Sequence, residues 1–285
     1  KYYPVIIVGG GYIAVEFAGI FNGLGVDTTM IHRGSLLLRG FDQDLRSTLA
    51  EEMQKKGIKI IFNGNINRID KADEQLVASF EDGTKLKAEQ IMYATGRKPM
   101  TKNLGLEGVG IELNENNAVK INDDYQTNIL SIYAIGDVTD RINLTPVALA
   151  EGMVLAKRFF ANENKVIDYS DIPTCVFSQP SLGTVGLTEE QARKKYVDVD
   201  IYKSRFIPMK YSLSDNNEKT MMKMIVEKKT SRVLGVHMIG PDAGEIIQGI
   251  GIAMKAGASK QDFDSTIGIH PTAAEEFVSM REPSI

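Results

Sequence analysis

Val5-Ile6-Ile7-Val8 is a short β-branched run entering Gly9-Gly10-Gly11, after which apolar residues recur at helical spacing through Ala14, Phe17, Ala18 and Phe21. The pattern predicts strand, tight turn, helix. Thr28 to Ile31 predicts a second strand, Asp44 to Lys56 an amphipathic helix closed by Gly57, and Ile58 to Phe62 a third strand. A parallel βαβαβ unit follows. Leu76 to Phe80 and Lys85 to Leu86 flank Glu81-Asp82-Gly83, which has hairpin-turn composition, and Gln90 to Ala94 predicts the strand that closes this unit near residue 95.

From Thr95 to about Asn164 the text turns to Gly- and Asn-rich loops, then a predicted strand Ser131 to Ile135 that ends in Gly136-Asp137. Thr145-Pro146 predicts a helix running to about Phe160, with Thr as N-cap and Pro at the first helical position. One strand and one helix cannot bury two faces, so this segment reads as half of a domain. From Asp171 onward, strands around Cys175 to Phe177, Met221 to Glu227 and Arg232 to Ile239 precede a helix from Ala243 to Lys255, with a D-x-x-E start at Asp242 and a Gly257 stop. The expected fold class is α/β followed by α+β: 1–95, 96–168 and 169–285.

Composition narrows the function. Over 285 residues, 33 basic side chains against 37 acidic give a net charge of −4, which leaves no electrostatic footprint for nucleic acid. No apolar run has the length of a membrane span and no signal-peptide layout opens the chain, so a cytoplasmic protein without a membrane partner is expected. The single cysteine, Cys175, excludes an intrachain disulfide or Cys-x-x-Cys centre, and three histidines leave few metal ligands, so no metal site is expected. The chain opens on Lys1 within a strand-like run, which points to a piece of a longer protein.

Gly9-x-Gly11-x-x-Ala14 lies between a strand and a helix, the setting in which glycines let a dinucleotide pyrophosphate approach a helix N-terminus. Where NAD-binding units carry an acidic residue after the second strand, this chain has Ile31-His32-Arg33 and then Arg39. Two guanidiniums suit a 2′-phosphate, which favours NADP(H). Near the C-terminus, His270-Pro271-Thr272-Ala273-Ala274-Glu275-Glu276 sets a histidine before a helix with a carboxylate one turn inside, an arrangement suited to acid/base work. Thr272-x-x-Glu275 is equally a capping box, and spacing alone leaves both readings open. His237 reads as a strand residue, and Met221, Met222 and Met224 as packing.

Five ordered motifs carry a resemblance: Gly9 to Glu16, Ala94-Thr95-Gly96-Arg97-Lys98-Pro99, Ile135 to Val138 with Leu144 to Ala148, Val185 to Glu189, and His270 to Glu276. Together they resemble the flavin-dependent pyridine nucleotide disulfide oxidoreductases, over the whole chain. The resemblance implies a Rossmann-like NADP-binding domain, the C-terminal half of an FAD-binding domain and an α+β dimerisation domain. It implies NADP(H) and FAD as cofactors, glutathione disulfide as substrate and a homodimer. By resemblance, Gly9, Gly11, Ile13 and Ala14 belong to the nucleotide fingerprint, and Tyr12 to the aromatic gate over the nicotinamide pocket. Glu16 matches a carboxylate orienting the nicotinamide, Arg33 and Arg39 the 2′-phosphate pair, and Gly96-Arg97 a further NADPH contact. Gly136-Asp137 matches the ribityl-holding segment, Thr145 the helix end aimed at the flavin, and His270 with Glu275 the acid/base pair. The family's N-terminal FAD fingerprint and Cys-x-x-x-x-Cys pair are absent, so the activity is expected of a longer parent protein. The alternatives are a trypanothione-type disulfide substrate, or a truncated, non-catalytic NADP-binding dimerisation module.

Overall fold

The computed structural model describes residues 4–284; Lys1 and the reading of the chain's opening lie outside them. In the first segment, β1 (Val5–Val8), α1 (Tyr12–Gly23), β2 (Thr28–His32), α2 (Gln43–Lys55) and β3 (Lys59–Phe62) follow the predicted alternation. A three-stranded antiparallel sheet of β4 (Ile66–Ala72), β5 (Gln75–Phe80) and β6 (Lys85–Ala88) comes next, and then β7 (Gln90–Tyr93). β7 returns to the first sheet, whose order is β3-β2-β1-β7 with every pairing parallel. Strand order reverses at β1, so the glycine loop leaves β1 at the switch point where ligands of such sheets bind. β4 was not visible in the sequence: Ile-Asn-Arg-Ile-Asp-Lys-Ala is a mostly polar, exposed edge strand with no buried residue.

Residues 96–169 form a compact unit of their own. Its one α-helix among the described residues is α3 (Thr145–Ala161). The strand expected at Ser131 to Ile135 does not form. Only an isolated bridge, Gln126 to Tyr133, occurs there, because the run has no neighbouring strand to take up its backbone hydrogen bonds. α3 also starts differently from expectation: Leu144 is the N-cap, Thr145 and Pro146 are its first helical residues, and no side chain caps the end.

The third segment joins the first in a single compact unit, 1–95 with 170–285. Here β8 (Thr174–Val176), β9 (Leu182–Gly186), α4 (Glu189–Lys195), β10 (Val199–Phe206), β11 (Thr220–Glu227) and β12 (Val233–Ile239) precede α5 (Ala243–Lys255), α6 (Lys260–Ser265) and α7 (Glu276–Ser279). The antiparallel sheet runs β10-β11-β12-β9-β8. β9 escaped prediction because two of its residues are glycines. Both are forced by packing: a Cβ at Gly183 would meet the Ala243 carbonyl oxygen at 2.7 Å, and one at Gly186 the Leu234 oxygen at 2.3 Å. Asp242 takes a left-handed conformation and does not cap α5, contrary to the D-x-x-E reading. One core spans both segments: Val5, Ile7, Leu45 and Leu49 pack in the same cluster as Val176, Leu182, Met221 and Ile239. Met222 and Met224 are buried on the sheet's other face with Ile247 and Met254, as ordinary packing. Architecture and sequence thus agree on a Rossmann-like α/β segment and an α+β sheet domain.

Candidate active site

Gly9 has φ +145°, and a Cβ there would lie 2.3 Å from the Ala94 carbonyl oxygen and 3.2 Å from the Ala14 Cβ. Only glycine lets β1, β7 and α1 approach so closely. Gly11 is the N-cap of α1 and faces open space; no side chain caps the helix, and no acidic residue stands in its first turn. A helix start with free N–H groups, a positive end and room for a ligand fits a dinucleotide pyrophosphate. Tyr12 stands exposed at the helix start, Ile13 is half-buried and Ala14 fully buried. Glu16, one turn further on, accepts the Phe177 N–H on Oε1 at 2.9 Å, which fixes the carboxylate and leaves its other oxygen without a hydrogen-bond partner among the described residues. Cys175 lies close by, and burial, then the charges of Glu16 and Glu245, push its thiol up to about 11, which keeps it protonated at neutral pH.

At the end of β2, the His32 ring fills the space beside Gly10, where a Cβ would sit 2.5 Å from Nδ1. Burial first, then the charges of Arg33 and Arg46, hold its imidazole below the usual value of 6.5, so it stays neutral beneath the glycine loop at neutral pH. Arg33 and Arg39 are exposed and make no ion pair among the described residues. The loop between them is rigid: Leu37 and Leu38 are buried, and the Leu38 N–H donates to the Gly10 carbonyl at 2.7 Å. Arg46, on the first turn of α2, donates from Nε to Leu37 O at 2.6 Å and from Nη2 to Leu36 O at 3.0 Å. Two unpaired guanidiniums on a pinned loop fit a phosphate ligand.

His270 and Glu275 meet. Nδ1 of His270 lies 3.1 Å from Oε2 of Glu275, while the imidazole side chain is 76% exposed. The capping box that competed with this reading is not made, since the Thr272 side chain caps nothing. A carboxylate at Nδ1 selects the tautomer with the proton on that nitrogen and leaves Nε2 facing outward as the working atom. Gly268 is what admits Glu275: a Cβ there would come within 2.9 Å of its Cγ. No hydrogen bond or ion pair among the described residues joins this pair to the glycine loop.

In the unit 96–169, Gly136 begins a single 3₁₀ turn, Gly136–Thr139, and Asp137 is exposed with its carboxylate 3.9 Å from the Arg97 guanidinium. Gly96 and Thr145 are exposed as well, the latter at the uncapped start of α3. An exposed acidic turn and a helix start with free N–H groups fit a ligand carrying hydroxyls and phosphates. Glu151, which no motif singled out, lies buried on the same face of α3 as Val147. A carboxylate on an apolar helix face was the available signal.

A parallel sheet with an uncapped glycine turn, in one compact unit with an antiparallel sheet domain that bears an exposed His–Glu pair, has the layout of a dinucleotide-binding protein. The chain belongs to the pyridine nucleotide-disulphide oxidoreductase family: residues 3–152 match that family and residues 172–281 its dimerisation domain. It is 47% identical over 277 residues to a glutathione reductase of Burkholderia cepacia, covering 97% of this chain and 62% of that protein. It is 50% identical over 281 residues to the chloroplastic/mitochondrial glutathione reductase of Pisum sativum, covering 98% and 51%. A trypanothione reductase of Leishmania donovani is 44% identical over 286 residues, covering 98% and 58%. Among solved structures, the HOCl-induced flavoprotein disulfide reductase RclA from Escherichia coli superposes with a TM-score of 0.90 at 29% identity, over 98% of this chain and 65% of that one. The chain therefore spans about half to three fifths of the length of the curated relatives it matches.

Proposed function

We propose that this chain is the NADP-binding and dimerising part of a homodimeric, cytoplasmic flavoprotein that reduces glutathione disulfide with NADPH, divided functionally into residues 1–95, 96–168 and 169–285. The observation that carries the reading is the His270–Glu275 pair at 3.1 Å, formed in preference to the capping box. In this reading Glu275 accepts a hydrogen bond from the Nδ1–H and orients the ring, and Nε2 holds the proton that passes to the leaving glutathione thiolate. The Gly9–Gly11 turn and the start of α1 receive the NADPH pyrophosphate, and Arg33 and Arg39 its 2′-phosphate. Tyr12 gates and Glu16 orients the nicotinamide, Arg97 adds a contact to NADPH, and Asp137 with the start of α3 at Thr145 addresses FAD. The chemistry that FAD supplies when bound is two-electron transfer between the nicotinamide and a redox disulfide, which the parent protein contributes from outside this chain. Greater identity to the two glutathione reductases than to the trypanothione reductase favours glutathione as the substrate.

The test is His270→Gln in the full-length protein. Flavin reduction by NADPH, followed by stopped flow, should stay near normal because no hydrogen bond or ion pair among the described residues joins His270 to the glycine loop. Turnover of glutathione disulfide should fall roughly 100-fold or more, the scale for losing a positioned acid/base. Unchanged turnover removes the proposal, and faster reduction of trypanothione disulfide than of glutathione disulfide by the wild-type protein selects the other substrate.

A further inference from the structure

Every handle on Gly136 is taken. Its N–H donates to Oε2 of Glu151 at 2.6 Å, and its carbonyl accepts from Oγ1 of Thr139 at 2.8 Å. At φ +67°, a Cβ would press on the Ala148 Cβ at 3.0 Å, so the turn is seated against α3 itself. Ala148 and Glu151 are three residues apart on one helix face and grip the same peptide from adjacent positions. The next side chain, Asp137, is left exposed.

Glu151 is 1% exposed and makes no ion pair among the described residues. An isolated buried carboxylate is costly unless hydrogen bonds satisfy it. Its second oxygen accepts from the Tyr169 hydroxyl at 2.6 Å, and the Tyr169 hydroxyl lies 2.9 Å from that of the buried Tyr125. The Arg141 guanidinium lies over both rings, 5.5 and 5.9 Å from their centroids. Burial first, then the hydrogen bonds to Glu151 and Tyr125, hold the Tyr169 phenol above its ordinary value, so it remains a proton donor. The result is a fixed line of groups, Tyr125, Tyr169, Glu151, Gly136, that ends at the backbone of the turn presenting Asp137. A merely tolerated buried acid does not need two short hydrogen bonds of opposite origin, one from a turn and one from a second buried side chain.

We infer that Glu151 is the positioning residue of the flavin-facing turn: held by Tyr169, its carboxylate fixes the Gly136 peptide and thereby aims Asp137 at the ribityl chain. This rests on the proposed reading of Asp137 as a flavin contact, and the experiment separates the two. In the full-length protein, stripped of flavin and reconstituted, flavin affinity is measured by fluorescence titration. NADPH affinity by calorimetry and the melting temperature of the stripped protein are measured in parallel.

Glu151→Ala should weaken flavin binding roughly 10- to 100-fold, the scale of a hydrogen bond to a charged group, with NADPH affinity unchanged. Glu151→Gln should stay within about threefold of wild type, because the amide oxygen can accept from Gly136 and the amide N–H can donate to the Tyr169 oxygen. Tyr169→Phe, which leaves the turn's own bond in place, should weaken flavin about 3- to 10-fold and keeps the test valid if Glu151→Ala does not fold. Native flavin affinity in Glu151→Ala, or in Tyr169→Phe where the first does not fold, overturns the inference, as does an equal loss in Glu151→Gln. Asp137→Ala is the control: if it loses flavin while Glu151→Ala does not, this inference alone fails, and if it leaves flavin binding intact, the reading of Asp137 fails with it.

Discussion

Arg33 and Arg39 stand on a loop whose backbone is already committed. Leu37 and Leu38 anchor it in the core, Gly10 accepts from Leu38, and Arg46 takes two of its carbonyls. Charged groups held in advance lose little entropy when a phosphate arrives, so each bond is worth on the order of 1.5 to 3 kcal/mol. Calorimetric titration of Arg33→Met with Arg39→Leu should show NADPH weakened roughly 100-fold or more, with NADH nearly unaffected; equal loss of both nucleotides rules the assignment out. The same scale explains what sequence could and could not reveal. The arginine pair was legible because it replaces an expected acid at a fixed place after β2, and the His270 heptad because its types and order are unusual. Arg46 was not, since a half-buried arginine at a polar helix position looks like any solvated one until its carbonyl partners, nine and ten residues back, are known. Glu151 broke an apolar pattern, but its partner Tyr169 lies 18 residues away beyond a helix end, a distance over which periodicity carries no information.

Helix α2 begins on a buried charge cluster. Asp42 caps it by accepting the Asp44 N–H at 3.0 Å, and Lys223, 1% exposed in the middle of β11, reaches both Asp42 oxygens at 2.9 Å, and Asp44 and Glu189 at 2.7 Å. Burial alone would raise the Asp42 carboxyl; hydrogen bonds from Lys223 and the Glu189 N–H, with the Lys223 charge, outweigh it and hold the group below 3.8. His237 is fully buried between the Thr184 hydroxyl at 2.5 Å and the Leu187 carbonyl at 3.0 Å, so Nε2 carries the proton and Nδ1 accepts. Burial keeps this ring below 6.5, which leaves Lys223 as the cation acting on Asp42 at neutral pH. Lys223→Met should therefore cost about 3 to 5 kcal/mol in urea unfolding, because it strands buried carboxylates, and adding Asp42→Asn should return part of the loss while still capping α2. A cost below about 1 kcal/mol would make the cluster dispensable. The pH profile has two windows. His237, neutral when folded, leaves stability untouched above 6.5 and lowers it as the pH falls below that value, since only the unfolded chain takes up the proton. Asp42, Asp44 and Glu189, each depressed in the folded state, contribute fully above their ordinary 3.8 to 4.5, and that contribution is lost as the pH falls through their lower folded values. His237→Gln should shrink the first window to the share that His32, also held below 6.5, contributes and leave the second, as read from urea midpoints between about pH 7 and 3. At this scale the alternating elements of the first segment were readable because each buries one stripe. Lys223 and His237 were not, because a strand buried on both faces carries no alternation to show which polar residue has a partner.

At the scale of the whole molecule, the exposed apolar groups say what the chain is built to meet. Leu149, Met153 and Phe160 recur along one side of α3 with Ala156 between them, and Phe160 is 90% exposed. A stripe at helical spacing that stays more than half exposed in its own unit marks a binding face. The chain on its own should accordingly take up a hydrophobic dye and hold flavin at well below one equivalent; a purified yellow protein with stoichiometric flavin contradicts this. The His270–Glu275 pair shows a different incompleteness. It sits in the segment that matches the family's dimerisation domain, its ring turned outward and its acid already engaged. A proton donor so exposed lacks the enclosure that excludes water from a reacting thiolate. In the proposed homodimer that enclosure comes from the second subunit, so each site takes His270 from one chain and the redox cysteines from the other. Two inactive full-length parents, one carrying His270→Gln and the other lacking a redox cysteine, then hold one intact site per mixed dimer. After subunit exchange at equal concentrations, half of all dimers are mixed and each has one working site of two, so activity should return to about one quarter of wild type. Exchange demonstrated by mass, with no return of disulfide reduction, would place His270 and the cysteines in the same subunit's site.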